Sequence, residues 1–183
     1  MTNLRRLLIF AVLAIPATSA DPPRPSPPLQ IMRQGAAPLT VAQYRGKVVV
    51  LALIHTTCSH CQQFTVTLNT LAPEYTPKGV QFLECAFNDD AATAMPEFLD
   101  RFKPTFPVGY TSHTAAMAYL GRTLLDKRPL YVPYVLFMDR AGMIHAEFSG
   151  EKEFFLSAEA NLRAQIDALL KPAAATSARS SRP

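Results

Sequence analysis

The 183 residues include no tryptophan, only three cysteines, and no uninterrupted apolar run longer than nine residues. A membrane-spanning helix needs roughly 20 apolar residues, about twice that run. The run itself, "LLIFAVLAI" from Leu7 to Ile15, follows Arg5 and Arg6 and precedes Pro16 and the small residues "ATSA". That order is the pattern of a secretory leader, with cleavage expected after Ala20. No cysteine follows the run, which argues against lipid attachment there. A surplus of one charge is also missing. With Arg5, Arg6, Arg179 and Arg182 set aside in the two ends, the 14 remaining basic residues balance 14 acidic ones. A nucleic-acid footprint would need a basic face or stripe, and none is visible. No internal repeat is present either.

What is there suggests one domain between two irregular ends. Residues 21–28, "DPPRPSPP", hold five prolines, which exclude helix and central strand and predict an extended spacer. From Pro172 to the end the chain is small, polar and Ala-rich, the composition of a disordered tail. Between them, residues 29–171 alternate strand and helix. "KVVVLALI" (Lys47 to Ile54) is β-branched and too short for a helix, as in a strand buried on both faces. Phe64, Leu68 and Leu71 then share one helical face, ending near Pro73. "VQFLECAF" is the next strand, and a helix over about 91–102 follows, with Pro96 tolerable if it falls in the first turn. Ser112 would cap a further helix closed by Gly121. "YVLFM" and "MIHAEF", joined by "DRAG", form a hairpin, and Ser157 would cap a last helix carrying Leu162, Ile166, Leu169 and Leu170. This is an α/β order that predicts a mixed central sheet with helices on both faces.

The chemistry concentrates in "HTTCSHC", directly after the buried strand and at the start of an amphipathic helix. Cys58 falls at a helix N-terminus, where unpaired N–H groups and the helix dipole stabilise a thiolate. Cys61, one turn in, is close enough to close a small disulfide and less exposed. Cys58 is then the attacking thiol and Cys61 the resolving one. Protonated His60 would add positive charge beside Cys58 and favour its reduced form. An exported chain would meet an oxidising compartment, where a disulfide persists.

These residues carry a family resemblance. "LTVAQYRGKVVVLALIHTTCSHC" is similar to the lead-in, central strand and dithiol of exported oxidoreductases of the TlpA/ResA type, within the redoxin superfamily. "TFPVGY" resembles the stretch before that family's third helix, and "VPYVLFMDRAGMI" its X-Pro segment and hairpin, so the likeness spans roughly residues 29–170. It implies a thioredoxin-like fold. It also implies a cis Pro133 facing the dithiol, with the Val132 backbone free to pair with an extended substrate. Two departures stand out. Thr57 replaces the tryptophan usual before the first cysteine, which alters the surface around the dithiol. The acids that such proteins keep six residues before the first cysteine, or three after the second, are Ala52 and Phe64 here. Neither can move a proton. Glu84, on the neighbouring strand, is the candidate proton relay in their place.

Other uses of the pair are possible. Zinc would require a second Cys/His half-site with knuckle spacing, which the sequence lacks, so no metal is expected. A peroxidase would use Cys58 as the peroxidatic thiol, and "TTC" resembles that motif without its upstream proline. A structural staple gains little from so short a loop. Cys85 reads as a buried small hydrophobe, and His55, His113 and His145 as core or surface residues. The expectation is an extracytoplasmic, periplasmic thiol:disulfide oxidoreductase. It needs no cofactor beyond the redox-active pair Cys58 and Cys61. It would be a monomer acting on protein dithiols or disulfides with a separate redox partner, at a membrane only if the leader is retained.

Overall fold

The computed structural model describes residues 23–123, 125–151 and 153–171. The leader and the tail from Pro172 lie outside the described residues. The strands are β1 (Arg24–Pro25), β2 (Gln30–Arg33), β3 (Ala36–Thr40), β4 (Val48–Ile54), β5 (Val80–Ala86), β6 (Val108–Tyr110), β7 (Tyr134–Met138) and β8 (Met143–Phe148). The α-helices are α1 (Ser59–Tyr75), α2 (Ala91–Phe102), α3 (His113–Tyr119) and α4 (Ala158–Leu170).

All seven β4 side chains are buried, because this β-branched run lies mid-sheet with both faces covered. The strand order is β1-β8-β7-β4-β5-β6-β2-β3. β4 pairs in parallel with β5 and antiparallel with β7, so the sheet is mixed. Its side chains alternate between two cores, as a period of two requires. Val48, Val50, Ala52 and Ile54 meet α1, α2 and α4, through Leu68, Phe98 and Ile166 among others. Val49, Leu51 and Leu53 meet α3 and the N-terminal segment, through Ala116, Tyr119 and Leu29.

Four local expectations are corrected. The proline-rich stretch is not a free spacer: Arg24 and Pro25 pair with Ile144 and Met143 on β8. The Ser26 amide donates to the Gly142 carbonyl at 3.0 Å, and its hydroxyl lies 2.8 Å from that of Tyr119. Proline is tolerated there because β1 is an edge strand. α1 runs past Pro73 to Tyr75, held by the burial of Ala72 and Tyr75 on its core face while Pro73 faces outward. Pro96 lies in the second turn of α2, not the first. It and Ala92, whose carbonyl loses its helical donor, are both exposed, so solvent can replace the bond. Ser157 precedes α4 but its side chain makes no cap, because a 3₁₀ turn over Glu153–Ser157 leads into the helix. Ser112 does cap α3, accepting from the Ala115 amide at 3.2 Å.

A dithiol at the end of the central strand

The end of β4 and the start of α1 place the two cysteines as the local pattern requires. Cys58 is the N-cap of α1 and half-buried; Cys61 is fully buried one turn later. Both are free thiols in the structure. Burial is the main cause pushing the Cys61 thiol far up, reinforced by the nearby Cys58 and Glu84. One feature opposes this: the His55 backbone N–H donates to Cys61 Sγ at 3.4 Å. Its surroundings thus hold the Cys61 thiol protonated, whereas Cys58 is the more accessible of the two.

The strand-to-helix loop is fixed at Thr56, a residue that sequence reasoning passed over. Its amide donates to Asn88 Oδ1 at 3.0 Å, and Asn88 Nδ2 donates back to Thr56 Oγ1 at 2.8 Å. Gln62 Nε2 donates to the Thr56 carbonyl at 2.9 Å. Asn88 follows β5, so the loop before Cys58 is tied to the neighbouring strand. Thr57 and His60 are both exposed. Thr57 lines a cleft towards α2 with Phe98 and Arg101, and His60 lines a different cavity on the other side.

That second cavity, of about 330 Å³, brings His60 together with Phe64, Pro133, Phe155 and Leu156. The Val132–Pro133 peptide bond is cis, and Pro133 is buried. Gly150 closes on Val132 so tightly that a Cβ there would lie 2.6 Å from the Val132 carbonyl oxygen. Phe64 packs edge-on against Phe155, with ring centroids 5.4 Å apart. An apolar contact therefore occupies the position three residues after the second cysteine.

The acid lies one strand away. Parallel register sets Glu84 opposite Ala52, and its side chain enters the core beneath α1. Glu84 has no exposed surface, and desolvation pushes its carboxyl up to about 8, a shift that a hydrogen bond from Thr65 moderates. Thr65 Oγ1 lies 3.0 Å from each Glu84 oxygen and 3.1 Å from the Cys61 carbonyl. Cys85, the next residue, points to the opposite core with Leu53, so the sheet separates it from the dithiol. A redox partnership between them has no direct path. His55 and His113 flank Phe87, at centroid distances of 4.4 and 5.9 Å, and burial lowers the His55 pKa. His145 binds Asp139 at 2.8 Å beside the hairpin turn. Among the described residues no three His, Cys, Asp or Glu side chains gather as a metal site.

The Redoxin family model matches residues 14–166. The search of curated proteins returned no match. Among solved structures, the chain is similar to a Chlorobium tepidum protein assigned as the thiol:disulfide interchange protein DsbE. The identity is 22% and the TM-score 0.68, over 84% of this chain and 100% of the other. A second Chlorobium tepidum structure, a thiol:disulfide interchange protein of the thioredoxin family, is 16% identical with a TM-score of 0.67 over the same shares. The thioredoxin domain of a thiol-disulfide oxidoreductase from Bacteroides vulgatus is 13% identical with a TM-score of 0.66, again over 84% and 100%. These likenesses show a thioredoxin-like fold.

Proposed function

The chain belongs to the Redoxin family, and from that premise we propose that it is an exported thiol:disulfide oxidoreductase working through Cys58 and Cys61. The observation that carries this reading is the pairing of a half-buried Cys58 at a helix N-terminus with a fully buried Cys61 one turn later. The Cys58 thiolate attacks one sulfur of a substrate disulfide. An intermolecular disulfide forms, and the other substrate sulfur leaves as a thiolate that takes up a proton. Cys61 then gives up its proton and attacks Cys58 Sγ, closing the protein disulfide and releasing the substrate as a dithiol. A donor dithiol, itself oxidised to a disulfide, returns the protein to its starting form, and in the reverse direction the same steps oxidise a substrate.

Glu84, as carboxylate, is the acceptor for the Cys61 proton. A carboxyl titrating near 8 is a far better base than an ordinary glutamate. Pro133 borders the cavity beside the dithiol and, with the backbone of Val132 before it, would hold an extended substrate segment, while Thr57 and His60 shape the surface that the partner meets. No bound cofactor is required. The leader-like N-terminus supports a periplasmic setting. Among the described residues no helix is long and apolar enough to cross a membrane. The partners are protein disulfides or dithiols and a separate redox protein, with this chain acting as a monomer.

The test is reduction of an insulin-type disulfide by the reduced protein, run beside a stoichiometric peroxide assay. Turnover of the disulfide, lost in Cys58→Ser, is expected. Rapid consumption of peroxide without disulfide reduction would replace this reading with a peroxidase.

A further inference from the structure

We propose that Thr65 is a positioning residue that sets the pH range in which Cys61 can resolve the intermolecular disulfide, acting through its hold on Glu84. The inference rests on the reading of Glu84 as the acceptor for the Cys61 proton.

Glu84 and Thr65 are both fully buried, and the Thr65 hydroxyl is the hydrogen-bond partner that the carboxyl has in this core. Towards Glu84, β4 presents Ala52 and β6 presents Val108, while α1 presents Thr65 and Cys61. Of these only Cys61 titrates, and no charged side chain contributes to the Glu84 shift. The hydroxyl has one proton and three oxygens within reach, the two of Glu84 at 3.0 Å and the Cys61 carbonyl at 3.1 Å.

That arrangement accommodates both forms of the acid without moving a heavy atom. When Glu84 is ionised, Thr65 donates to the carboxylate. When Glu84 is neutral, its own O–H donates to Thr65 Oγ1, and the Thr65 proton turns to the Cys61 carbonyl. Both states are hydrogen-bonded, which a buried carboxyl requires. Valine has nearly the same shape but no donor. With valine at 65 the ionised form would be buried without a partner, so Glu84 would remain neutral to a higher pH. The Cys61 step would then lose its base near neutrality.

Two measurements on the full chain test this. The first follows the Glu84 carboxyl band by infrared spectroscopy against pH, with Glu84→Gln identifying the band. Thr65→Val should move its midpoint up by about one pH unit or more, and Thr65→Ser should restore it. The second loads a chromogenic aryl thiol onto Cys58 as a disulfide and times its release by Cys61. Thr65→Val should slow release about fivefold near pH 8 and shift the rate profile to alkaline pH, with Thr65→Ser close to wild type. Thr65→Ala serves if the valine variant does not fold. An unmoved carboxyl midpoint in the variant overturns the inference. A moved midpoint with unchanged release in both Thr65→Val and Glu84→Gln overturns the base role of Glu84 and the inference with it. Failure of wild type to release the thiol at any pH overturns the dithiol reading itself.

Discussion

Thr56 and Asn88 are bonded in both directions: the Thr56 amide donates to Asn88 Oδ1 at 3.0 Å, and Asn88 Nδ2 donates to Thr56 Oγ1 at 2.8 Å. With Gln62 on the Thr56 carbonyl, the residue two places before Cys58 is held by side chains from both the β5 end and α1. The loop that leads into Cys58 is therefore preorganised by a neighbouring strand.

Asn88→Ala removes both bonds to Thr56 and leaves a buried amide without its acceptor. The expected cost is about 1–3 kcal/mol of stability, together with slower alkylation of Cys58 as the loop loosens. Chemical denaturation and iodoacetamide kinetics measure the two effects. An unchanged alkylation rate would show that the loop holds Cys58 without this clamp.

Glu84 makes stability depend on pH with a defined sign. Its carboxyl is raised from an ordinary 4.5 to about 8 in the fold, so the folded state keeps a proton that the unfolded chain releases. The stability associated with the neutral acid is fully present below about pH 4.5 and is lost progressively as pH rises through 8. Glu84→Gln abolishes that titration. The variant should gain on wild type between those limits, by on the order of 4 kcal/mol at the upper end. Urea denaturation at several pH values checks this, and parallel curves for the two proteins would contradict it.

Cys85 tests the sheet as a barrier. It lies in the core opposite the dithiol, so Cys85→Ala should leave the disulfide-exchange rate within about twofold of wild type while costing about 1 kcal/mol through the lost packing. A large fall in exchange at unchanged stability would give Cys85 a redox role.

Gly150→Ala places a methyl group 2.6 Å from the Val132 carbonyl, and backbone has to give way. The expected effect is a loss of about 1–3 kcal/mol and a raised KM for peptide disulfides, with less change for a small disulfide such as oxidised glutathione. Comparing KM for the two substrates decides the point. Equal effects on both would place the damage in overall folding and not in the cleft beside Pro133.

Much of this was legible because it is local. The Val48–Ile54 strand, the helix face of Phe64, Leu68 and Leu71, the Ser112 cap and the hairpin at "DRAG" follow from patterns only a few residues long. The docking of Arg24 and Ser26 was not, because a proline-rich stretch reads as an extended chain whether it is free or paired at a sheet edge. Thr65 and Asn88 were missed for a similar reason. Isolated polar residues in a helix and a loop carry no spacing signal, and their partners lie 19 and 32 residues away.

The sequence alone determined that a two-cysteine motif closes a buried strand and opens an amphipathic helix, since strand burial, helix period and cap position are written within about 25 residues. Only the tertiary structure decided which acid reaches it. Parallel register sets Ala52 beside Glu84, and the alternation of a strand sends Glu84 towards the dithiol and Cys85 away from it. That single register puts a buried acid on the next strand, on the side of the sheet that α1 and Cys61 cover.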